Sequence, residues 1–307
     1  MKKSPDQREF IVGTRGSRLA LTQTRSVIKA LKIKYPKIKI KTIVISTQGD
    51  KITDVPLSSI NSKSFFTKEI EDELLQKKID FAVHSLKDLA TELPDGLTIG
   101  AILKRLDSRD CLVSLKKYNL KTLPDPSKIG TSSIRRQMQL RAMNPEWTIQ
   151  ECRGNLDTRI KKLKNKIYDA IVIAQAGIQR LFNSAQKKGL HFYKIPTHQM
   201  FPCVGQGSLA IENRTDDDET LNLLKFLNHP LSQIQARAER MFLKTLQGGC
   251  QVPAGVETKI KNNKIFMRGI LSQKNNKILY AAQSGSIQNP EQMGILLAKQ
   301  LLKKLEQ

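Results

Sequence analysis

A short apolar run that ends in a glycine turn and passes straight into an amphipathic helix is what most limits how this chain can fold. Ile11-Val12-Gly13-Thr14-Arg15-Gly16-Ser17 is the first instance: β-branched residues enter a glycine turn, and residues 18 to 33 then carry Leu19, Val27 and Leu31 at helical spacing. Pro36 closes that helix, and Ile38, Ile40 and Thr42 with Ile43-Val44-Ile45 supply a second strand. Strand, helix and strand in this order give a βαβ start and a parallel sheet, a fold class that places ligands at the C-terminal ends of its strands.

The same logic continues along the chain. Residues 47 to 67 read as a long loop and Lys68 to Lys77 as a helix. Ile79-Asp80-Phe81-Ala82-Val83 is a buried strand delivering His84-Ser85-Leu86-Lys87-Asp88. Ser85 and Asp88 have the spacing of a helix N-cap with an acidic residue three positions on. They equally have the position of a ligand site at a strand end, whereas His84 reads as a satisfied structural histidine. Leu97 to Leu103 is a strand, the charged crossing 104 to 110 marks a first domain boundary, and Cys111-Leu112-Val113-Ser114 lies beyond it. Ile129-Gly130-Thr131-Ser132-Ser133 then turns into a helix opened by Ile134-Arg135-Arg136-Gln137 and ending near Met143. Helix-start amides, hydroxyls and two arginines together make an anion site there. Thr148 to Cys152 is a strand, followed by Arg153-Gly154-Asn155-Leu156-Asp157-Thr158-Arg159 and a basic helix, and 169 to 174 is a further buried strand. Phe201 to Gly207 reads as a crossing loop, Ser232 to Leu246 as a helix with Ile234, Ala238, Phe242 and Thr245 along one stripe, and 255 to 260, 264 to 272 and 277 to 284 as alternating segments before a last helix from about 289.

Charge decides between function classes. The 307 residues carry a formal charge of +24 from 36 Lys and 16 Arg, which raises nucleic acid as a partner. Aromatic residues are only 5% of the chain and no nucleic-acid motif occurs, which counts against that reading. Lysines are spread throughout, but seven arginines fall at Arg105, Arg109, Arg135, Arg136, Arg141, Arg153 and Arg159, a clustering that points to planar recognition of carboxylate or phosphate. An anion-binding receptor of the solute-receptor kind would share such α/β halves but would need export. The apolar segment Phe10-Ile11-Val12 is too short for a signal peptide and no run has membrane length, so a cytoplasmic protein is expected. Cys111, Cys152, Cys203 and Cys250 lie far apart with no metal-ligand spacing, which leads us to expect neither disulfides nor a metal.

One of these cysteines stands apart. Gly248-Gly249-Cys250-Gln251-Val252-Pro253 follows the helix ending at Leu246, and its two glycines let a thiol stand clear of the helix end; a helix C-cap with a partly buried Cys is the alternative.

Taken in order, Thr14-Arg15-Gly16-Ser17, His84-Ser85-Leu86-Lys87-Asp88, Gly130-Thr131-Ser132-Ser133-Ile134-Arg135-Arg136-Gln137, Arg153 to Arg159, Val204-Gly205-Gln206-Gly207 and Gly248 to Pro253 resemble the porphobilinogen deaminase (hydroxymethylbilane synthase) family over most of residues 10 to 256. The resemblance implies an α/β protein of two doubly wound sheet domains of periplasmic-binding-protein-like type plus a small α+β C-terminal domain. The expected division is 1–103 with 204–222, then 104–203, then 223–307 carrying the cofactor cysteine. It also implies a cytoplasmic, monomeric transferase of tetrapyrrole synthesis that joins four porphobilinogen molecules head to tail with loss of ammonia, and binds neither nucleic acid nor membrane. In that family the cysteine matching Cys250 carries a dipyrromethane cofactor through a thioether, and the aspartate matching Asp88 is catalytic. The cofactor is held by residues matching Lys63, Lys87, Ser133, Arg135 and Arg136, and substrate by those matching Arg15, Ser17, Arg153 and Arg159. The chain departs from the family in keeping one lysine in Ser58-Ser59-Ile60-Asn61-Ser62-Lys63, in Leu89-Ala90 after Asp88, and in Gln175.

Overall fold

The computed structural model describes residues 8–51, 65–183, 187–247, 252–273 and 277–306. These form two compact units, one of residues up to 105 with 208–233, the other of 106–207 with 234 onward.

In the first unit the expected βαβ start is present as β1 (Glu9–Arg15), α1 (Arg18–Lys34) and β2 (Lys39–Ile45), with the two strands parallel. The expected long loop begins with one helical turn, α2 (Gln48–Lys51), and α3 (Lys68–Leu75) leads into β3 (Phe81–Ser85), parallel to β1. β4 (Leu97–Ile102) ends this stretch. Gly13 is where β1 passes its neighbours most closely, because a Cβ there would lie 2.4 Å from the Ile79 side chain.

The second unit opens with β5 (Asp110–Ser114), β6 (Lys128–Gly130), α4 (Ile134–Met143), β7 (Thr148–Gln150), α5 (Leu156–Lys164), β8 (Ala170–Ala174), α6 (Gln175–Leu181) and β9 (His191–Lys194). The chain then returns to the first unit with β10 (Leu209–Arg214) and α7 (Asp218–Leu224). The two sheets share one plan: β2-β1-β3-β10-β4 and β7-β6-β8-β5-β9. In each, four strands run in one direction and one, β10 or β5, is inserted antiparallel between the central strand and an edge strand. Apolar clusters cover both faces of the first sheet, Phe10, Val27, Leu31 and Ile211 on one and Ile70, Leu74, Ile79 and Ala82 on the other, which is the doubly wound arrangement expected from the sequence. Leu112, Ile129, Leu140, Trp147 and Val172 form the core of the second sheet.

After α8 (Pro230–Thr245), the second unit holds an antiparallel meander of β11 (Ala254–Lys261), β12 (Lys264–Ser272) and β13 (Ile278–Ser286), followed by α9 (Pro290–Leu305). Ala238 and Phe242 of the expected α8 stripe are fully buried there with Met267, Leu297 and Leu301. Among the described residues no helix is long and apolar enough to cross a membrane, and no cluster of His, Cys, Asp and Glu is set to hold a metal ion.

Candidate active site

On the first unit the site is built from the C-terminal ends of β1 and β3. Ser17 follows β1 and caps α1, its Oγ accepting the Ala20 amide at 3.2 Å. Arg15 Nη2 donates to Asp50 Oδ1 at 2.5 Å and its Nε to Oδ2 at 3.2 Å, a bidentate pair, while the guanidinium lies 4.5 Å from the centre of the Phe66 ring. Burial pushes the Asp50 carboxyl up, but the hydrogen bonds and charge of Arg15, with hydrogen bonds from Thr47, outweigh it and hold the group below the usual carboxylate range.

β3 ends at Ser85, and the tight turn Leu86–Asp88 follows without a side-chain cap from Ser85. Ser85 Oγ accepts from Gln23 Nε2 at 2.9 Å instead. Asp88 and Lys87 are half-buried. Asp88 lines a cleft of about 60 Å³ together with Arg15, Ser17, Gln23, Phe66 and Ser85. His84 also lines this cleft, its Nε2 3.0 Å from Glu212 Oε2 on β10 with both side chains buried, though the pair is not aligned as a hydrogen bond. The Glu71 carboxyl is pushed up, first by burial and further by the charge of Glu212, against the opposing influence of Thr67 and His84.

On the second unit, β6 turns into α4 as expected, and Ser133 occupies the N-cap position without a side-chain cap bond. Arg135 and Arg136 are 4% and 5% exposed and both close on Asp110, which is fully buried at the start of β5. Arg135 Nη1 lies 2.8 Å from Asp110 Oδ2; Arg136 Nε and Nη2 lie 3.0 and 2.8 Å from Oδ1; Gln206 Nε2 lies 2.9 Å from the same oxygen. Burial alone would raise the Asp110 carboxyl, yet the charges of the two arginines and these hydrogen bonds drive it far below the carboxylate range. Arg153 and Arg159 are half-buried on either side of Gly154, whose φ of 103° is open to glycine and strained for other residues. Arg159 Nε donates to the Gly154 carbonyl at 2.8 Å, and Asn155 caps α5 by accepting the Thr158 amide at 2.9 Å.

The structure therefore brings Asp88, Arg15 and Ser17 into one cleft on the first unit. On the second it joins Arg135 to Arg136 through Asp110, with Arg153 and Arg159 half-buried to either side of Gly154 in the chain. Lys63 and Cys250 lie outside the described residues. Nothing local in the sequence marks Asp50, Asp110 or Glu212, each of which meets a side chain more than twenty positions away. The one signal for Asp110 was its place in the charged crossing 104–110.

Comparison with known proteins identifies a family. Residues 10–222 match the family model described as porphobilinogen deaminase, dipyromethane cofactor binding domain, and residues 233–303 match the porphobilinogen deaminase C-terminal domain. Among curated proteins, the chain is 44% identical over 298 residues to the porphobilinogen deaminase of Syntrophomonas wolfei, covering 97% of this chain and 96% of that one. It is 45% identical over 292 residues to the enzyme of Brevibacillus brevis, covering 95% and 93%, and 43% identical over 302 residues to that of a Nostoc species, covering 97% and 92%. With both of its family domains present and identity sustained along nearly the whole length, this chain belongs to the porphobilinogen deaminase family.

Proposed function

We propose that the hydroxymethylbilane synthase activity of this family is carried out here with Asp88 as the catalytic carboxylate. The observation that carries the reading is the place of Asp88 at the end of β3, in the same cleft as Arg15 and Ser17. Each addition breaks the aminomethyl C–N bond of porphobilinogen, the nitrogen leaving as ammonia with the bonding pair and a proton. The methylene carbon left behind is electron-poor and conjugated to the ring, and a carboxylate beside it favours the positive charge that develops. Asp88 acts first by hydrogen bonding and proton transfer at the leaving amine and then as counter-ion. A carbon–carbon bond then forms to the free α-carbon of the terminal pyrrole, which gives up its proton. After four such additions the bond between the first added unit and the carrier pyrrole is hydrolysed, the carrier carbon regaining a proton and water supplying the hydroxyl of the released linear hydroxymethylbilane.

Dipyrromethane, when bound, supplies the pyrrole carbon to which the first unit is joined. The residues present fit its carboxylates: in the Arg135–Arg136–Asp110 cluster two guanidiniums share one carboxylate, and the buried Arg135 Nε finds no acceptor among the described residues. In this reading Cys250 forms the thioether, Lys63, Lys87, Ser133, Arg135 and Arg136 hold the cofactor, and Arg15, Ser17, Arg153 and Arg159 hold the substrate acetate and propionate groups. Three domains divide the work, 1–103 with 204–222, 104–203 and 223–307. The chain acts as a monomer in the cytoplasm, a reducing compartment that suits the free thiols of Cys111, Cys152 and Cys203, with no nucleic-acid partner.

The test is the intact mass of the purified protein beside that of Cys250→Ser. An added mass of two pyrrole units on the parent and none on the variant is expected. An unmodified parent that makes no hydroxymethylbilane from porphobilinogen would overturn the reading.

A further inference from the structure

Asp110 has no role in the chemistry above, yet three separate parts of the second unit converge on it. Its backbone is held on both sides, paired with Ala174 of β8 and accepting the Ile195 amide at 2.9 Å, so the carboxylate cannot drift. Its four donors come from the first turn of α4 and from Gln206, and Gln206 is itself anchored by a second bond from Nε2 to the Ser108 carbonyl at 2.7 Å. Both guanidiniums are fixed by backbone as well, Arg136 through Nη1 on the Val172 carbonyl and Arg135 through the same Nη1 that meets Asp110, which also donates to the Phe201 carbonyl.

A structural ion pair would match charges one to one, since an uncompensated charge away from water is costly. Here one carboxylate meets two guanidiniums, and burial makes the excess positive charge strong. We infer that Asp110 is a positioning residue of the cofactor half of the site: it locks Arg135 and Arg136 in a fixed orientation and, being one charge short, leaves the pair set to receive a further carboxylate. The inference rests on the proposed cofactor role of these arginines and adds the residue through which that role is set up.

Asp110→Asn removes the charge and Asp110→Glu keeps it while moving the oxygens by one methylene. Both are purified beside the parent, and intact mass, thermal unfolding midpoint and KM and kcat for porphobilinogen are measured. At least one variant is expected to fold with a midpoint near that of the parent. In that variant the fraction of chains bearing the added mass should fall, or KM rise, about tenfold. In the chains that do carry the added mass, kcat should change far less. A folded variant of either kind with full loading and parental KM would overturn the inference while leaving the proposed function intact. So would loss of folded protein in both, because Asp110 would then be a strut of the core. A parent without the added mass is a separate outcome: it removes the proposed function, and the inference falls with it.

Discussion

Asp88 and Glu71 are both acidic, yet their surroundings give them opposite uses. Asp88 is half-buried at the edge of a cleft with Arg15, where a carboxylate can meet a cationic reaction centre. Asp88→Asn keeps the shape and removes the charge, so the protein should fold and load its cofactor while kcat falls by about 10²–10⁴-fold. Turnover near the parental rate would remove Asp88 from the chemistry. Glu71 is buried near Glu212, and its pKa lies above the unfolded value of 4.5. The sign follows from linkage: below that value both states hold the proton and nothing is lost. As pH rises through it, the unfolded chain ionises while the folded chain does not, so stability declines until the raised folded pKa is passed. Glutamine cannot ionise and keeps the shape. Glu71→Gln should therefore unfold at a higher temperature than the parent at about pH 8, with the gap closing near about pH 4. A gap independent of pH would show that burial of the charge is not what limits this position.

Elements whose stability comes from their own apolar pattern were legible in the sequence, and those stabilised by distant polar partners were not. α1, β3 and α8 follow from their apolar patterns, and the α8 stripe buries Ala238 and Phe242 as its spacing requires. β10 is fully buried yet ends in Glu212-Asn213-Arg214, a run that no strand pattern would select. Its charged groups meet partners far away in the chain: Glu212 lies 3.0 Å from His84, and Arg214 donates to the carbonyls of Leu74 and Ile79 as well as to nearby Asp217. The antiparallel insertion that completes the first sheet was invisible for that reason. The same holds at the site, where the strand-end position of Asp88 could be read locally but the attachment of Arg135 and Arg136 to Asp110 spans 25 and 26 positions. The contact of α8 with α9 was equally hidden. A Cβ on Gly294 would lie 2.2 Å from the Ala238 carbonyl oxygen and 2.7 Å from the Phe242 amide, both backbone atoms that cannot step aside. Gly294→Ala should cost about 1–3 kcal/mol by forcing the helices apart. A drop of several degrees in the unfolding midpoint is the expected result, and an unchanged midpoint would mean that α9 shifts freely.

At the scale of the molecule the two basic residue types divide their work. The clustered arginines are anchored: Arg109 on Asp107, Arg135 and Arg136 on Asp110, and Arg159 on the Gly154 carbonyl. Lysine is spread along all 307 residues and dominates the formal charge of +24. Many of these lysines are exposed, among them Lys32, Lys34, Lys161, Lys164, Lys166, Lys303 and Lys304. Scattered exposed ammonium groups add little to stability as individual pairs. Together they create a positive field that reaches about 10 Å into a solution of about 0.1 M salt and further when salt is low. Porphobilinogen carries two carboxylates, so that field should speed its capture without touching the chemical step. Raising ionic strength from about 0.02 M to about 0.3 M should then lower kcat/KM several-fold to about tenfold while kcat stays nearly constant. A kcat/KM indifferent to salt would separate the lysines from substrate capture. A parallel fall in kcat would place the salt-sensitive charges in the anchored arginine clusters, where the loss would act on bound intermediates.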